Sequence, residues 1–171
     1  MTADYTQMVE GCKRRDRKAE RALYEAMAPM AMGICLRYVR DREEAQDLMQ
    51  DGFVRVFENI GRLREPLQVR TWVYRVMLNV CFKHYHRQEG KVPTMLADVE
   101  QVTLPLDPFS AEEIVAAVQQ LSPAQRMAFN LLAVEEYSYA EAAKELHCSE
   151  VNVRALYSRA KKELRNILNK R

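Results

Sequence analysis

Apolar side chains recur at alternating steps of three and four along most of this chain, the period of helices with one buried face. The stripe is most regular at Ala45, Leu48, Met49, Gly52, Phe53, Val56, Phe57 and Ile60. Asp41 and Glu44 precede it in capping-box-like order, so a helix is predicted to begin at Asp41. Its opposite face carries Asp47, Gln50, Asp51, Val54 and Glu58. Upstream, residues 4–13 predict a short helix capped by Asp4 or Thr6. Residues 17–38 predict a longer one, in which Pro29 is expected to form a kink or a break. A connector, 61–68, is punctuated by Gly61 and Pro66. In the next helix Val69, Trp72, Val73, Val76, Met77 and Val80 share one face, and Arg75, Asn79, Phe82 and His86 fall on the other. That second face combines rings, an amide and positive charge, a mixture that holds unstacked bases. The plainer alternative is a core helix with a solvated basic back.

The period fails over 88–110, where Gly90, Pro93, Pro105 and Pro108 interrupt it. A stretch of over 20 residues is too long for an ordinary loop inside a compact domain and is expected to link two. Ser110 with Glu113 then predicts a capped helix whose stripe is Ile114, Val115, Val118 and Leu121. Ser122-Pro123 opens another, with Met127, Phe129, Leu131, Leu132 and Val134 as core residues. Tyr139 to Leu156 fits a helix-turn-helix template through Ala142, Ala143, Leu146, Cys148, Val153 and Leu156, with His147 in place of the usual turn glycine. Ser149 is expected to cap the second helix. Asn152, Arg154, Ala155, Ser158, Arg159 and Lys162 are expected to face outward, toward a major groove. The expected architecture is all-α: two small helical domains joined by a flexible linker, the C-terminal one holding the helix-turn-helix.

Composition agrees. Of 171 residues, 48% are hydrophobic and 29% charged, and only five are Gly and six Pro, which favours long helices over many turns. The net charge of +2 excludes a polybasic protein, so any nucleic-acid contact must be local. From Arg154 onward seven bases face one acid, Glu163. The four cysteines are scattered with no CxxC, and the chain opens without an apolar run, so free thiols, no leader and a cytoplasmic location are expected. His84 and His86 lie near Cys81, but on a helix the two imidazoles point apart, and no metal or other cofactor is expected. No phosphate loop or nucleophile motif suggests an enzyme. Two other readings fit part of the pattern. One is a transcriptional regulator with a single helix-turn-helix and a helical N-terminal effector or dimerisation domain; the other is a helical scaffold. The acidic face at Asp47 and the Trp72 helix argue against the first, and the basic terminal helix against the second.

The motifs also stand in a telling order: DREEAQDLMQDGFVRVF (41–57), RTWVYRVMLNV (70–80), a linker, LSPAQRMAF (121–129), SYAEAAKELHCSEVNV (138–153) and YSRAKKEL (157–164). Together they resemble the bacterial sigma-70 family of RNA polymerase initiation factors, in its extracytoplasmic-function group. The resemblance runs from residue 8 to residue 168. It implies a region 2-like domain at 1–88, a linker at 89–110 and a region 4-like domain at 111–171. By that likeness Asp47, Gln50 and Asp51 would bind the polymerase core. Arg70, Trp72, Arg75, Asn79 and Lys83, with the connector 61–68, would open the −10 element. Asn152, Arg154, Ser158, Arg159 and Lys162 would read the −35 element. The implied partners are core RNA polymerase, promoter DNA (duplex and opened strand) and an anti-sigma factor, with no membrane insertion. Two departures stand out. LREPLQ lacks the Arg-Gly pattern common in that connector, and Arg154-Ala155-Leu156 replaces the usual Lys-Ser-Arg.

Overall fold

The structure, a computed structural model, describes residues 4–89, 102, 104 and 109–170. Every regular element among them is helical: α1 (Tyr5–Lys13), α2 (Arg17–Tyr38), α3 (Arg42–Asn59), α4 (Val69–Glu89), α5 (Ala111–Gln119), α6 (Pro123–Phe129), α7 (Tyr139–Leu146) and α8 (Glu150–Asn169). Contacts divide the chain into two compact units, 1–36 with 41–84 and 37–40 with 85–171. The linker expected at 89–110 falls largely outside the described residues.

The first unit is built from capped amphipathic helices. Asp4 caps α1, its carboxylate accepting from Gln7 N at 3.1 Å. Asp16 does the same for the start of α2, accepting from Lys18 N at 2.9 Å. α2 continues through Pro29 without interruption. Its buried Leu23, Met27 and Ile34 are each worth about 1.5–3 kcal/mol. Such packing outweighs the single backbone bond that the proline removes. Asp41 accepts from Glu44 N at 2.9 Å and starts α3, as expected. Glu44 Oε1 lies 2.8 Å from His84 Nε2, which ties the first turn of α3 to α4. The α3 stripe is buried from Ala45 to Val56, with Phe57 half-buried. α3 and α4 approach closely at Gly52: a Cβ there would press on the thioether end of Met77, which is fully buried and would have to shift.

In the second unit α5, α6 and α8 enclose Ala117, Val118, Leu121, Phe129, Ala160, Leu164 and Leu168. Reciprocal capping boxes start α5 (Ser110 with Glu113), α6 (Ser122 with Gln125) and α7 (Ser138 with Glu141). The C-terminus of α5 is satisfied by a residue that pattern reading passed over. Arg126 is 5% exposed and donates to the carbonyls of Gln119 (2.9 Å), Leu121 (2.9 Å) and Val118 (3.3 Å). A guanidinium is well suited to a helix end, where carbonyls lack partners and the dipole is negative. Two expected core residues stand out in solvent. Ile114 is exposed because the packed part of α5 begins a turn later, at Ala117. Val134 is exposed because Asn130–Val134 form a π turn, whose wider winding rotates it off the α6 face.

Candidate nucleic-acid and polymerase interface

Three exposed faces carry the residues singled out in the sequence. On α3, Asp47, Gln50, Asp51, Val54 and Glu58 all reach solvent, spaced so that they form one strip. The helix beneath them is rigidly seated. Phe53, on the buried side, meets Tyr24 with ring centroids 4.6 Å apart and Phe57 at 6.1 Å. The strip is thus an acidic and amide surface with an apolar residue, Val54, 55% exposed at its centre.

On α4 the exposed residues among those described are Arg70, Thr71, Arg75, Asn79, Lys83, Arg87 and, at the helix end, Gln88. From Thr71 to Arg87 they recur every four positions, so the amide of Asn79 is flanked a turn away by Arg75 and Lys83. Trp72 and Tyr74, on the same helix, are half-buried. Phe82 is a correction. It was expected on the outer face, and it is 6% exposed. From Met77 to Tyr85 the buried positions Leu78, Val80, Cys81, Phe82 and Tyr85 run most of the way round the helix, leaving only a narrow polar row. The face therefore offers charge, one amide and the half-buried Trp72 and Tyr74, with fewer rings than predicted. Just before α4, the turn Pro66–Gln68 holds Leu67 76% exposed. Sequence reading missed it, since an isolated leucine in a connector breaks no pattern.

The third face is the helix-turn-helix. α7 ends at His147, whose φ of 53° and ψ of 43° are left-handed, the conformation that usually selects glycine. Cys148 N donates to Ala143 O at 3.0 Å and closes the turn. Ser149 Oγ then accepts from Asn152 N at 3.1 Å and starts α8. Ala142, Ala143, Leu146, Val153 and Leu156 are buried at the crossing, as the template requires. Of the six residues expected to face outward, Arg154, Arg159 and Lys162 are exposed. The other three are corrections. Asn152 is 6% exposed because its side chain turns back to hydrogen-bond the Cys148 thiol. Ala155 and Ser158 are 0% and 5% exposed, so neither side chain is open to solvent. Burial raises the Cys148 thiol above its ordinary value despite the Asn152 bond.

Two cations of α8 are held over rings. The Arg154 guanidinium lies 4.1 Å from the centroid of the Tyr139 ring, and Lys161 Nζ 4.5 Å from that of Tyr157. Burial first, and then the nearby Tyr139, raise the Tyr157 hydroxyl above its ordinary value. Glu141, in the α7 capping box, is lowered by its bonds to the backbone and hydroxyl of Ser138. No three His, Cys, Asp or Glu side chains converge as a metal site among the described residues. No described helix is long and apolar enough to cross a membrane.

One helical unit presents an acidic strip and a basic amide-bearing row, and the other a helix-turn-helix, the arrangement of a two-unit helical protein with a DNA-binding type of motif. Comparison with known proteins narrows it. The family Sigma-70 region 2 matches residues 23–91, and Sigma-70, region 4 matches residues 111–164. The chain is 28% identical over 177 residues to RNA polymerase sigma-H factor of Pseudomonas aeruginosa, covering 92% of this chain and 90% of that one. It is 26% identical over 176 residues to ECF RNA polymerase sigma-E factor of Haemophilus influenzae, covering 93% and 92%. Its fold resembles the sigma factor RpoE of Bartonella quintana, solved in complex with the anti-sigma factor NepR, with a TM-score of 0.50, 17% identity, and 88% and 96% of the two chains covered. The chain belongs to the sigma-70 family, in its extracytoplasmic-function group. It is a transcription initiation factor.

Proposed function

We propose that the three faces divide the work of initiation. Asp47, Gln50 and Asp51 on α3 dock the chain on core RNA polymerase, with Val54 as the apolar centre of that contact. Arg70, Arg75 and Lys83 neutralise the phosphates of the −10 strand. Trp72 and Asn79 hold an unstacked base, and the exposed Leu67 abuts the step that opens. In the second unit Arg154, Arg159 and Lys162 meet the −35 duplex. Asn152 and Ser158 act beneath them, Asn152 by fixing the turn against Cys148. The working bodies are 1–88 and 111–171, with 89–110 as their tether, so promoter spacing matters as well as sequence. An anti-sigma factor is a further partner, as in the complex with NepR noted above. The chain works in the cytoplasm, carries out no bond chemistry of its own and uses no cofactor.

The observation that supports this reading best is the α3 strip. Its polar residues share one exposed face, and none of them is buried against the described residues. The test is a fluorescence titration of core polymerase with the wild-type chain and with Asp47→Ala and Gln50→Ala. Each variant is expected to fold normally by circular dichroism and to bind core about tenfold more weakly, since each loses a polar contact worth about 1.5 kcal/mol. Unchanged affinity in both would remove α3 from the polymerase contact.

A further inference from the structure

Arg154 is the exposed cation nearest the start of α8, and it forms no ion pair or hydrogen bond with the described residues. Its placed contact is the face of the Tyr139 ring, 4.1 Å away. Tyr139 is itself fixed. It is the first residue of α7, directly after the Ser138 cap, where Ser138 N donates to Glu141 at 2.8 Å and Glu141 N to Ser138 Oγ at 3.1 Å. It is half-buried, and its hydroxyl lies near enough to Tyr157 to perturb that group. So the ring cannot wander, while a free arginine on a helix surface samples many rotamers.

We propose that Tyr139 is a positioning residue for sequence recognition: its ring is a shelf that holds the Arg154 guanidinium in one orientation for a single base pair of the −35 duplex. This rests on the reading above that α8 enters the major groove. A guanidinium restricted to one orientation presents two parallel N–H donors, which match the O6 and N7 acceptors of guanine. Without the shelf Arg154 still attracts phosphate, but as a mobile charge that tells bases apart poorly. Specificity at that pair therefore depends on two helices of the motif, α8 supplying the donor group and α7 its orientation.

The experiment uses the full-length chain assembled with core polymerase and a promoter library randomised across the −35 region, with transcripts sequenced to give the base preference at each position. Wild type is expected to prefer guanine at one position in this region, and Arg154→Ala to reduce that preference about tenfold while leaving the others in place. Tyr139→Leu and Tyr139→Met are expected to reduce the preference at the same position by about 2- to 5-fold, the worth of an exposed cation–π contact. Tyr139→Phe keeps the ring and is expected to restore it. Tyr139→Leu in the Arg154→Ala background should cost nothing further at that position. A thermal melt of each variant accompanies the readout, and either truncation that folds suffices. The proposal is overturned if Arg154→Ala relaxes one position and the Tyr139 truncations do not, or if they weaken every position equally, or if Tyr139→Phe behaves like Leu. A different failure, no position responding to Arg154→Ala, would instead overturn the placement of α8 on the duplex.

Discussion

Arg126→Met tests the most unusual feature of the second unit, a buried cation that finishes a helix. Arg126 is 5% exposed and makes two short bonds, at 2.9 Å, to the carbonyls of Gln119 and Leu121, and longer ones to Val118 (3.3 Å) and to Tyr38 at the end of α2 (3.4 Å). Bonds from a charged donor are worth about 1.5–3 kcal/mol each. Methionine preserves most of the packed stem, so the loss is mainly these bonds and the carbonyls left short of a donor. Relief from burying a charge offsets part of it. Set against several bonds of that worth, this relief leaves a net loss of about 3–5 kcal/mol. At about 4–8 °C per kcal/mol for a body of this size, the second unit should melt at least about 12 °C lower. The assay exploits the single tryptophan, Trp72, which lies in the first unit. Urea denaturation is followed by Trp72 fluorescence and by far-UV circular dichroism. The circular dichroism transition of the second unit is expected to move to lower urea while the fluorescence transition stays in place. Arg126→Lys, whose compact ammonium cannot reach the same carbonyls in parallel, should fall between wild type and Met. A loss below about 1 kcal/mol would show that water or backbone rearrangement replaces the guanidinium readily, and the helix-end argument would fail.

Other outcomes are equally checkable. Gly52→Ala gains about 1 kcal/mol of helix propensity but drives a methyl into buried Met77, a clash worth about 1–3 kcal/mol, so it should destabilise the first unit. The same change in a Met77→Ala background should stabilise it, and additivity in that cycle would argue against the close approach of α3 and α4. Glu141 sits below its ordinary value of 4.5, so its share of the α7 cap is complete above that pH and is lost as pH falls through the lower folded value. An NMR titration should place its midpoint under 4.5, and a midpoint at or above it would mean the capping bonds are not held in solution. Asn79→Ala should reduce permanganate reactivity of the opened −10 strand roughly fivefold, about 1 kcal/mol, with little change in closed-complex binding. Equal loss in both would make Asn79 a duplex contact.

The helices were readable because their ends are written in local chemistry. Asp4, Asp41, Ser110, Ser122 and Ser149 each precede an apolar period, and each caps the helix expected of it. The α3 face was readable for the same reason, since one helical period sorts buried from exposed when only one side is covered. α4 was readable only at first. Beyond Met77 its core spreads round the helix, so a single-stripe projection put Phe82 on the wrong side. In α8 a projection gives the direction of a side chain but not its reach or its local bonds, and Asn152 turned back to Cys148. Arg126 was invisible because an arginine in a helix reads as solvent-facing until the carbonyls it satisfies are located. The Tyr139–Arg154 contact joins residues fifteen positions apart on two helices, which no helical period relates.

The central claim is that this chain brings core RNA polymerase to promoters that the core does not find by itself. In vitro transcription with purified core on a genomic DNA library, with and without the full-length chain, tests it most directly when RNA 5′ ends are sequenced. The account predicts a discrete set of starts that appears only with the chain, each preceded by two short sequence elements at a fixed spacing. An identical set of starts with and without it would contradict the account.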